Sequence, residues 1–468
     1  MIPGPLRRAA FESFYRISGR AGFVGEVDRM DAAYRGTRAA LDAAAAERLR
    51  ALLSHALATV PYYRQARPVA SADLADPAAA VSAFPVLTKA VIREQGLALR
   101  SERAEAQTRW NTSGGSTGEP VRLLQDRTMT RAVTETKLLY MRWLGFEPGE
   151  RHLLIWGAPQ QTFREGIPLR ERVYRLLHHQ LYLNCYEVSD DVLEGWVDEI
   201  RRHPPAVIEA YADAMFDLSR YALRHRRTLP RPRGIITSAG VLTDERRQAI
   251  QEAFGGCPVI NRYGSREVGD VGCSCLADTP IHVSELMYFV EVVDAQGRAC
   301  APGEEGDVLV TLFANRSMPL IRYRIEDRAA WAAGECSCGR VSKRLLTVFG
   351  RQSDFLVASD GTRINGTALT TLLYWVPNLR RFQFRQVQRD RVRILVEPED
   401  PAGTETLRAA MAPPLAKARQ LLRGTEIDLE VGPIAPSPSG KYRYIVNELS
   451  DPAAGLPAGA SRSVTAEA

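Results

Sequence analysis

The sequence predicts an α/β protein with a large N-terminal domain of layered sheets and helices, followed by a small α+β C-terminal domain. Three observations predict it. From about residue 110 to 320, short apolar runs alternate with helical stretches, the pattern of stacked strand and helix layers. After Gly350-Arg-Gln-Ser-Asp354 the texture changes to short strands around a helical pattern. The chain has 468 residues, about three times the usual single-domain length, so more than one core is expected. The expected bounds are 1–350 and 351–450, with 451–468 as a tail.

Taken in order, residues 39–58 combine strong helix formers with apolar residues three and four apart, which predicts an amphipathic helix. His152-Leu-Leu-Ile-Trp156, Ala206-Val-Ile-Glu-Ala-Tyr211 and Gly234-Ile-Ile-Thr-Ser238 read as strands of the layered part. Residues 286–294 and 307–313 read as strands with a Pro302-Gly303 turn between them, an antiparallel element. Arg380–Arg385 and Arg391–Val396 are the strands of the small domain, and 404–422 carries its helical pattern. The segment Asp451–Ala468 is rich in Ala, Gly, Ser and Pro without apolar periodicity, so a disordered tail is expected.

Composition narrows the function classes. Apolar residues at 45% and charged residues at 25% are ordinary for a folded protein. A net charge of +6 with scattered Arg gives no nucleic-acid footprint. Arg7, Arg8, Arg16 and Arg20 flank no apolar run, and no stretch is apolar enough to span a bilayer, so neither an export signal nor a membrane partner is expected. Seven cysteines, an odd number, argue against a disulfide framework and for a cytoplasmic location. The oligomeric state stays open, a homodimer included.

Thr112-Ser-Gly-Gly-Ser-Thr-Gly118 packs hydroxyls and glycines into seven positions, so side-chain donors and backbone N–H groups can close on a polyphosphate. Its candidate contacts are Ser113, Gly114, Gly115, Ser116, Thr117 and Gly118. Glu119-Pro120 follow where a Walker A loop needs Lys and then Ser or Thr, so P-loop chemistry is disfavoured. A Ser/Gly surface linker is the competing reading of the segment.

The order of this loop, Tyr263-Gly-Ser-Arg-Glu267, Tyr323-Arg-Ile-Glu-Asp327, Gly350-Arg-Gln-Ser-Asp354 and Ser439-Gly-Lys441 resembles the adenylate-forming superfamily. Val60-Pro-Tyr-Tyr63, Phe84-Pro-Val-Leu-Thr-Lys89 and the early phosphate loop resemble its phenylacetate:CoA ligase group most. The likeness covers roughly residues 45–450. It implies an ATP-dependent ligase that activates a small, aromatic-leaning carboxylic acid as acyl-AMP and passes the acyl group to CoA. An amine, a hydroxyl or a carrier-protein thiol as acceptor, or a non-catalytic nucleotide-binding homologue, are the alternatives.

The resemblance also implies roles. Tyr263, with Gly264 and Ser265 beside it, packs on adenine, and Ser238-Ala239-Gly240 borders it; Glu267 holds Mg²⁺. Arg266 stands where the family usually has Thr, and a guanidinium there can still reach the α-phosphate. Asp327 binds the ribose hydroxyls, Arg351 reaches the ribose or phosphate, and Asp354 is the hinge of a mobile small domain. Lys441 bridges the carboxylate and α-phosphate, where two anions meet and charge must be neutralised.

Cys273-Ser-Cys275 and Cys336-Ser-Cys338 form two close pairs, and His282 follows Cys275 by seven residues, which resembles a structural zinc site. Family likeness selects Cys275, His282, Cys336 and Cys338, with Cys273 the alternative fourth ligand and free buried thiols the competing reading. Cys185, Cys257 and Cys300 have no partner in sequence, and no Ser/His/Asp spacing marks a nucleophile. The His178-His179 pair reads as helix surface, and Trp156 and Tyr211 as either pocket or core residues.

Overall fold

The computed structural model of the protein describes residues 22–66, 74–112, 121–156, 178–185, 190–349, 355–359, 363–365, 376–434 and 443–449, with a few isolated positions besides. Two compact units divide the chain, Met1–Phe349 and Gly350–Ala468. The tail expected at 451–468 lies outside the described residues.

The first unit opens with α1 (Phe23–Tyr34) and α2 (Arg38–Thr59). Thr37 caps α2, its Oγ1 accepting from the Ala40 N–H at 3.2 Å. The buried stripe of α2 is Leu41, Leu49, Leu52, Leu53 and Ala56, the spacing its sequence predicts. Strands β1 (Thr108–Thr112) and β2 (Arg122–Asp126) pair antiparallel on either side of residues 113–120. Asp126 then caps α3 (Arg127–Trp143), accepting from the Met129 N–H at 2.8 Å, while its other oxygen accepts from the N–H groups of Arg316 and Ser317. One carboxylate thus fixes both the hairpin and the helix entry.

The next strands are β3 (His152–Trp156), β4 (Gln180–Asn184), β5 (Val207–Tyr211), β6 (Gly234–Ser238) and β7 (Val259–Ser265). Helices α4 (Asp190–Arg202), α5 (Ala212–Arg224) and α6 (Asp244–Ala253) alternate with them from β4 onward. These five strands are parallel, in the order β4-β3-β5-β6-β7. Leu153, Ile155, Ile208, Ala210 and Ile235 are fully buried against Trp196, Val197, Ile200, Met215, Leu218 and Ile250. Each large apolar side chain buried this way contributes about 1.5–3 kcal/mol, so the carboxyl ends of the strands project from a rigid base.

An antiparallel half continues the same sheet through β8 (Gly269–Cys273), β9 (Ile281–Val283), β10 (Tyr288–Val293), β11 (Glu305–Leu312), β12 (Tyr323–Trp331) and β13 (Arg344–Phe349). The eleven strands run β10-β11-β12-β13-β9-β8-β7-β6-β5-β3-β4. Strand β7 joins the halves, parallel to β6 and antiparallel to β8. The antiparallel pair expected near 286–313 is β10 with β11, and Gly303 takes φ +86° in the connection, where only glycine is unstrained. The α/β expectation therefore stands.

The second unit holds β14 (Phe355–Val357), β15 (Arg363–Asn365), β16 (Leu379–Gln388), β17 (Arg391–Pro398), α7 (Thr404–Ala410), α8 (Ala412–Leu421), β18 (Glu426–Val431) and β19 (Ile445–Asn447). Its main sheet, β18-β17-β16-β19, is mixed. The single helical pattern expected over 404–422 is two helices meeting at Met411. Pro413 and Pro414 sit in the first turn of α8, where their missing N–H groups cost nothing, and they cannot extend α7.

Candidate active site and metal centre

Ligands of open parallel sheets sit at the carboxyl ends of the strands. At that edge Tyr211 of β5 is in register with Ser238 of β6, and Trp156 of β3 follows Ile155, the last residue of β3 paired with β5. Ser238 is buried and donates from Oγ to the Arg262 carbonyl at 3.1 Å. Ala239 then takes φ +61°, a left-handed conformation costing a non-glycine residue about 1–2 kcal/mol. At Gly240 a Cβ would lie 3.2 Å from the Ala212 Cβ and 3.4 Å from Asp213 Oδ2, so glycine lets this turn lie against the start of α5. Ala239 thus carries backbone strain in the segment that the resemblance marks as nucleotide-bordering.

The β7–β8 hairpin carries the next group. Tyr263 is 8% exposed and donates from its hydroxyl to Asp327 Oδ2 at 2.9 Å, joining β7 to β12. Any Cβ at Gly264 would sit 2.2 Å from the Gly269 carbonyl oxygen, which explains the glycine after the tyrosine. Ser265 Oγ accepts from the Glu267 N–H at 3.3 Å. Glu267 is 3% exposed, and its carboxylate has no partner among the described residues. Arg266 is exposed, and its charge reaches Tyr211. The Arg266 carbonyl accepts from Asn111 Nδ2 at 3.2 Å and Gln125 Nε2 at 3.0 Å. The strands leading into and out of residues 113–120 are therefore fastened to the loop bearing Glu267.

Asp327 is positioned from the N-terminal region, which the motif reading did not anticipate. The Leu87 N–H donates to the Arg322 carbonyl at 3.1 Å, and the Arg324 N–H donates to the Leu87 carbonyl at 2.9 Å. Arg322 and Glu326 take φ +50° and +70°, and Lys89 pairs with Glu326 directly before Asp327. Lys89 served only as a cue of resemblance in the sequence; its partner, 237 residues away, has no local signature. Lys89→Met removes this contact, worth about 1 kcal/mol for a partly exposed pair. An increase of roughly fivefold in KM for ATP, with kcat little changed, is expected in steady-state assays.

Ser113, Gly114, Gly115, Ser116, Thr117, Gly118, Arg351, Asp354 and Lys441 lie outside the described residues. Trp156 and Tyr211 are both half-buried, their ring centroids 4.1 Å apart.

On the antiparallel half, Cys275, His282, Cys336 and Cys338 bring four ligand atoms within 4.8 Å of one another. Cys275 Sγ is 3.6 Å from Cys336 Sγ, and Cys338 Sγ is 3.4 Å from His282 Nε2. A tetrahedral zinc with Zn–S bonds of about 2.3 Å needs edges of about 3.8 Å, so the donors fit. Ser342 Oγ lies 2.9 Å from His282 Nδ1, so Nε2 is the ring nitrogen that could ligate a metal. Burial, with Arg340 and Arg344 nearby, pushes His282 down to about 4, so the imidazole is neutral and able to ligate. Burial opposes the Cys338 thiolate, yet hydrogen bonds involving Arg340 and Cys336 bring that thiol below its ordinary value.

Arg344 braces the two ligand loops, bonding Asp278 Oδ2 at 2.8 Å and the carbonyls of Ala333, Gly334 and Glu335. Cys273, the alternative ligand, is fully buried in the main core and stands outside the cluster.

No family model matches the chain. The phenylacetate-coenzyme A ligase of Thermus thermophilus is 25% identical over 350 residues, 71% of this chain and 75% of the relative. That of Aromatoleum evansii is 24% identical over 382 residues, 76% and 82% of the two chains. A 2-hydroxyisobutyryl-CoA ligase in the postadenylation state superposes with TM-score 0.71 at 17% identity, over 89% of this chain and 91% of that one. The motif order and these relatives agree: in sequence the chain is similar to phenylacetate-coenzyme A ligases, and it shares the fold of an adenylate-forming CoA ligase.

Proposed function

We propose that the protein is an ATP-dependent, AMP-forming acid–thiol ligase. A carboxylate attacks the α-phosphate of ATP to give acyl-AMP and pyrophosphate; the CoA thiol then attacks the acyl carbon, forming the thioester and releasing AMP. The observation that carries this reading is one juxtaposition. The Ser238–Gly240 turn with its left-handed Ala239, the Tyr263–Asp327 bond and the Glu267 carboxylate, without a partner among the described residues, come from β6, the β7–β8 hairpin and β12, around the carboxyl ends of the parallel strands.

Each group then has a task. Tyr263 offers its ring face to adenine while its hydroxyl holds Asp327, which accepts from the ribose hydroxyls. Residues 113–118 supply N–H and hydroxyl donors to the phosphates, and Arg266 and Arg351 add positive charge. Glu267 is the hard oxygen ligand suited to Mg²⁺, which would neutralise the phosphates. Lys441 offsets the repulsion between the two anions as they meet, and Asp354 is the hinge that lets the acceptor thiol replace it. The four Cys and His ligands suit a structural zinc, since a closed tetrahedral site leaves no position for substrate.

The direct test is pyrophosphate release across a panel of aromatic and aliphatic acids, with and without CoA. Acid-dependent release with a CoA thioester as product is expected. Release without any thioester would transfer the acyl group to another acceptor, and no release with any acid would remove the ligase reading. Lys441→Ala is expected to slow adenylation by on the order of 10²-fold, the scale of losing one charge-stabilising donor. Unchanged release would withdraw that role.

A further inference from the structure

The acid end of this edge holds charges that adenylation does not use. Arg262, on β7, is 4% exposed; its Nη1 lies 2.8 Å from Glu209 Oε1 and its Nε 3.1 Å from Asp270 Oδ1. Two carboxylates thus engage this one guanidinium. Lys137, on α3, reaches the same Glu209, but at 3.6 Å, longer than a hydrogen bond. Its ammonium makes no hydrogen bond among the described residues, and its side chain is 38% exposed against 4% for Glu209. Burial alone would push Glu209 up, yet Arg262 and Lys137 hold its carboxyl well below the usual range. The cluster is balanced, two cations against two carboxylates, so it needs no further ion. Among its donors Arg262 Nε and the Lys137 ammonium make no hydrogen bond among the described residues, and among its acceptors neither do Glu209 Oε1 and Asp270 Oδ2.

Those donors stand beside an aromatic platform. Lys137 Nζ is 5.8 Å from the centroid of Trp156, and the Arg262 guanidinium 5.4 Å from the same ring. Trp156 packs on Tyr211, and both rings are half-buried. Tyr211 is in register with Ser238, and Trp156 directly follows the last β3–β5 pair, Ile155 with Ala210, which places the Trp156 backbone two strand spacings, about 10 Å, from the nucleotide-bordering turn. A planar acid lying on the platform with its carboxylate toward Ser238 carries its far end to Lys137.

Resting on the ligase reading above, we propose that Lys137 is a specificity determinant. It donates to an oxygen acceptor, a hydroxyl or a second carboxylate, at the end of the acid remote from the activated carboxylate. Packing on the rings supplies affinity without discrimination; an acid that covers Lys137 takes its partly exposed ammonium out of water, and only an oxygen acceptor at that end replaces the hydrogen bonds lost.

The test compares kcat/KM for phenylacetate, 4-hydroxyphenylacetate and 4-carboxyphenylacetate in the wild type, Lys137→Met and Lys137→Arg. In the wild type at least one substituted acid is expected to be preferred over phenylacetate by about tenfold or more, the range of a hydrogen bond to a charged group. Lys137→Met should bring that ratio near one, and Lys137→Arg, which keeps donors, should retain part of it. A ratio unmoved in Lys137→Met, or a wild type that prefers phenylacetate, would overturn the proposal. If no acid releases pyrophosphate, the ligase reading falls separately. Acid recognition is then read from calorimetric binding of the same three acids, where equal ratios in wild type and Lys137→Met overturn it and a lost preference supports it.

Discussion

Glu267→Gln is expected to lower acid-dependent pyrophosphate release by on the order of 10²–10³-fold while leaving the fold intact or more stable. Glu267 is 3% exposed, and its carboxylate has no partner among the described residues. Burying a charge without a partner is unfavourable unless a cation is bound there. The surrounding bonds fix the backbone of this loop, through Ser265, Asn111 and Gln125, and leave the carboxylate to something else. Gln keeps the volume and one carbonyl oxygen but removes the charge that a hard divalent ion requires. The measurement pairs the pyrophosphate assay, across a magnesium titration, with thermal unfolding. Activity within threefold of wild type would remove Glu267 from the metal role; a large loss of stability would make it a structural residue instead.

The same residue shows what sequence could and could not reveal. Its candidacy came from the resemblance carried by the motif order, and the structure shows a local reason for one residue of that motif, Gly264, where a Cβ would lie 2.2 Å from the Gly269 carbonyl oxygen. The parallel strands were legible from a local mark: Leu153, Ile155, Ile208 and Ile235 are buried and read as apolar runs. Contacts between distant segments left no such mark. Glu209 and Arg262 interrupt apolar strands and look like lapses in pattern until the sheet brings them 2.8 Å apart. Lys89 meets Glu326 where Arg322, just before β12, and Glu326 itself take left-handed conformations without being glycine, and nothing in the amino-acid types announces that. The break at Met411 was readable from Pro413-Pro414, but the continuous apolar pattern hid it.

The metal cluster mixes both cases. Two Cys-x-Cys pairs and a histidine were visible as donors, but spacing left open whether Cys273 or Cys275 was the ligand. The strand favours Cys275. Strand β8 ends at Cys273, whose side chain is fully buried in the core, and Cys275 lies beyond, where the chain turns toward the loop holding Cys336 and Cys338.

The protein as purified from cells is therefore expected to carry about one equivalent of zinc, lost in Cys336→Ser and kept in Cys273→Ser. Removing a tetrahedral structural ion leaves two loops without their common anchor, held by Arg344, bonded to Asp278 and three carbonyls, by the Ser342–His282 contact and by the short β9–β13 pairing. A fall in Tm on the order of 10 °C is expected for Cys336→Ser, and a similar fall for the wild type stripped by a strong chelator. At 25 °C the folded fraction of Cys336→Ser should retain its pyrophosphate release, because the proposed site has no open coordination position and none of its ligands belongs to the acid or nucleotide edge. A preparation free of zinc whose Tm is untouched by chelator would make the four residues free thiols and a packed histidine. Zinc present together with abolished activity in the still-folded Cys336→Ser protein would give the ion a part in catalysis that a closed tetrahedral site does not allow.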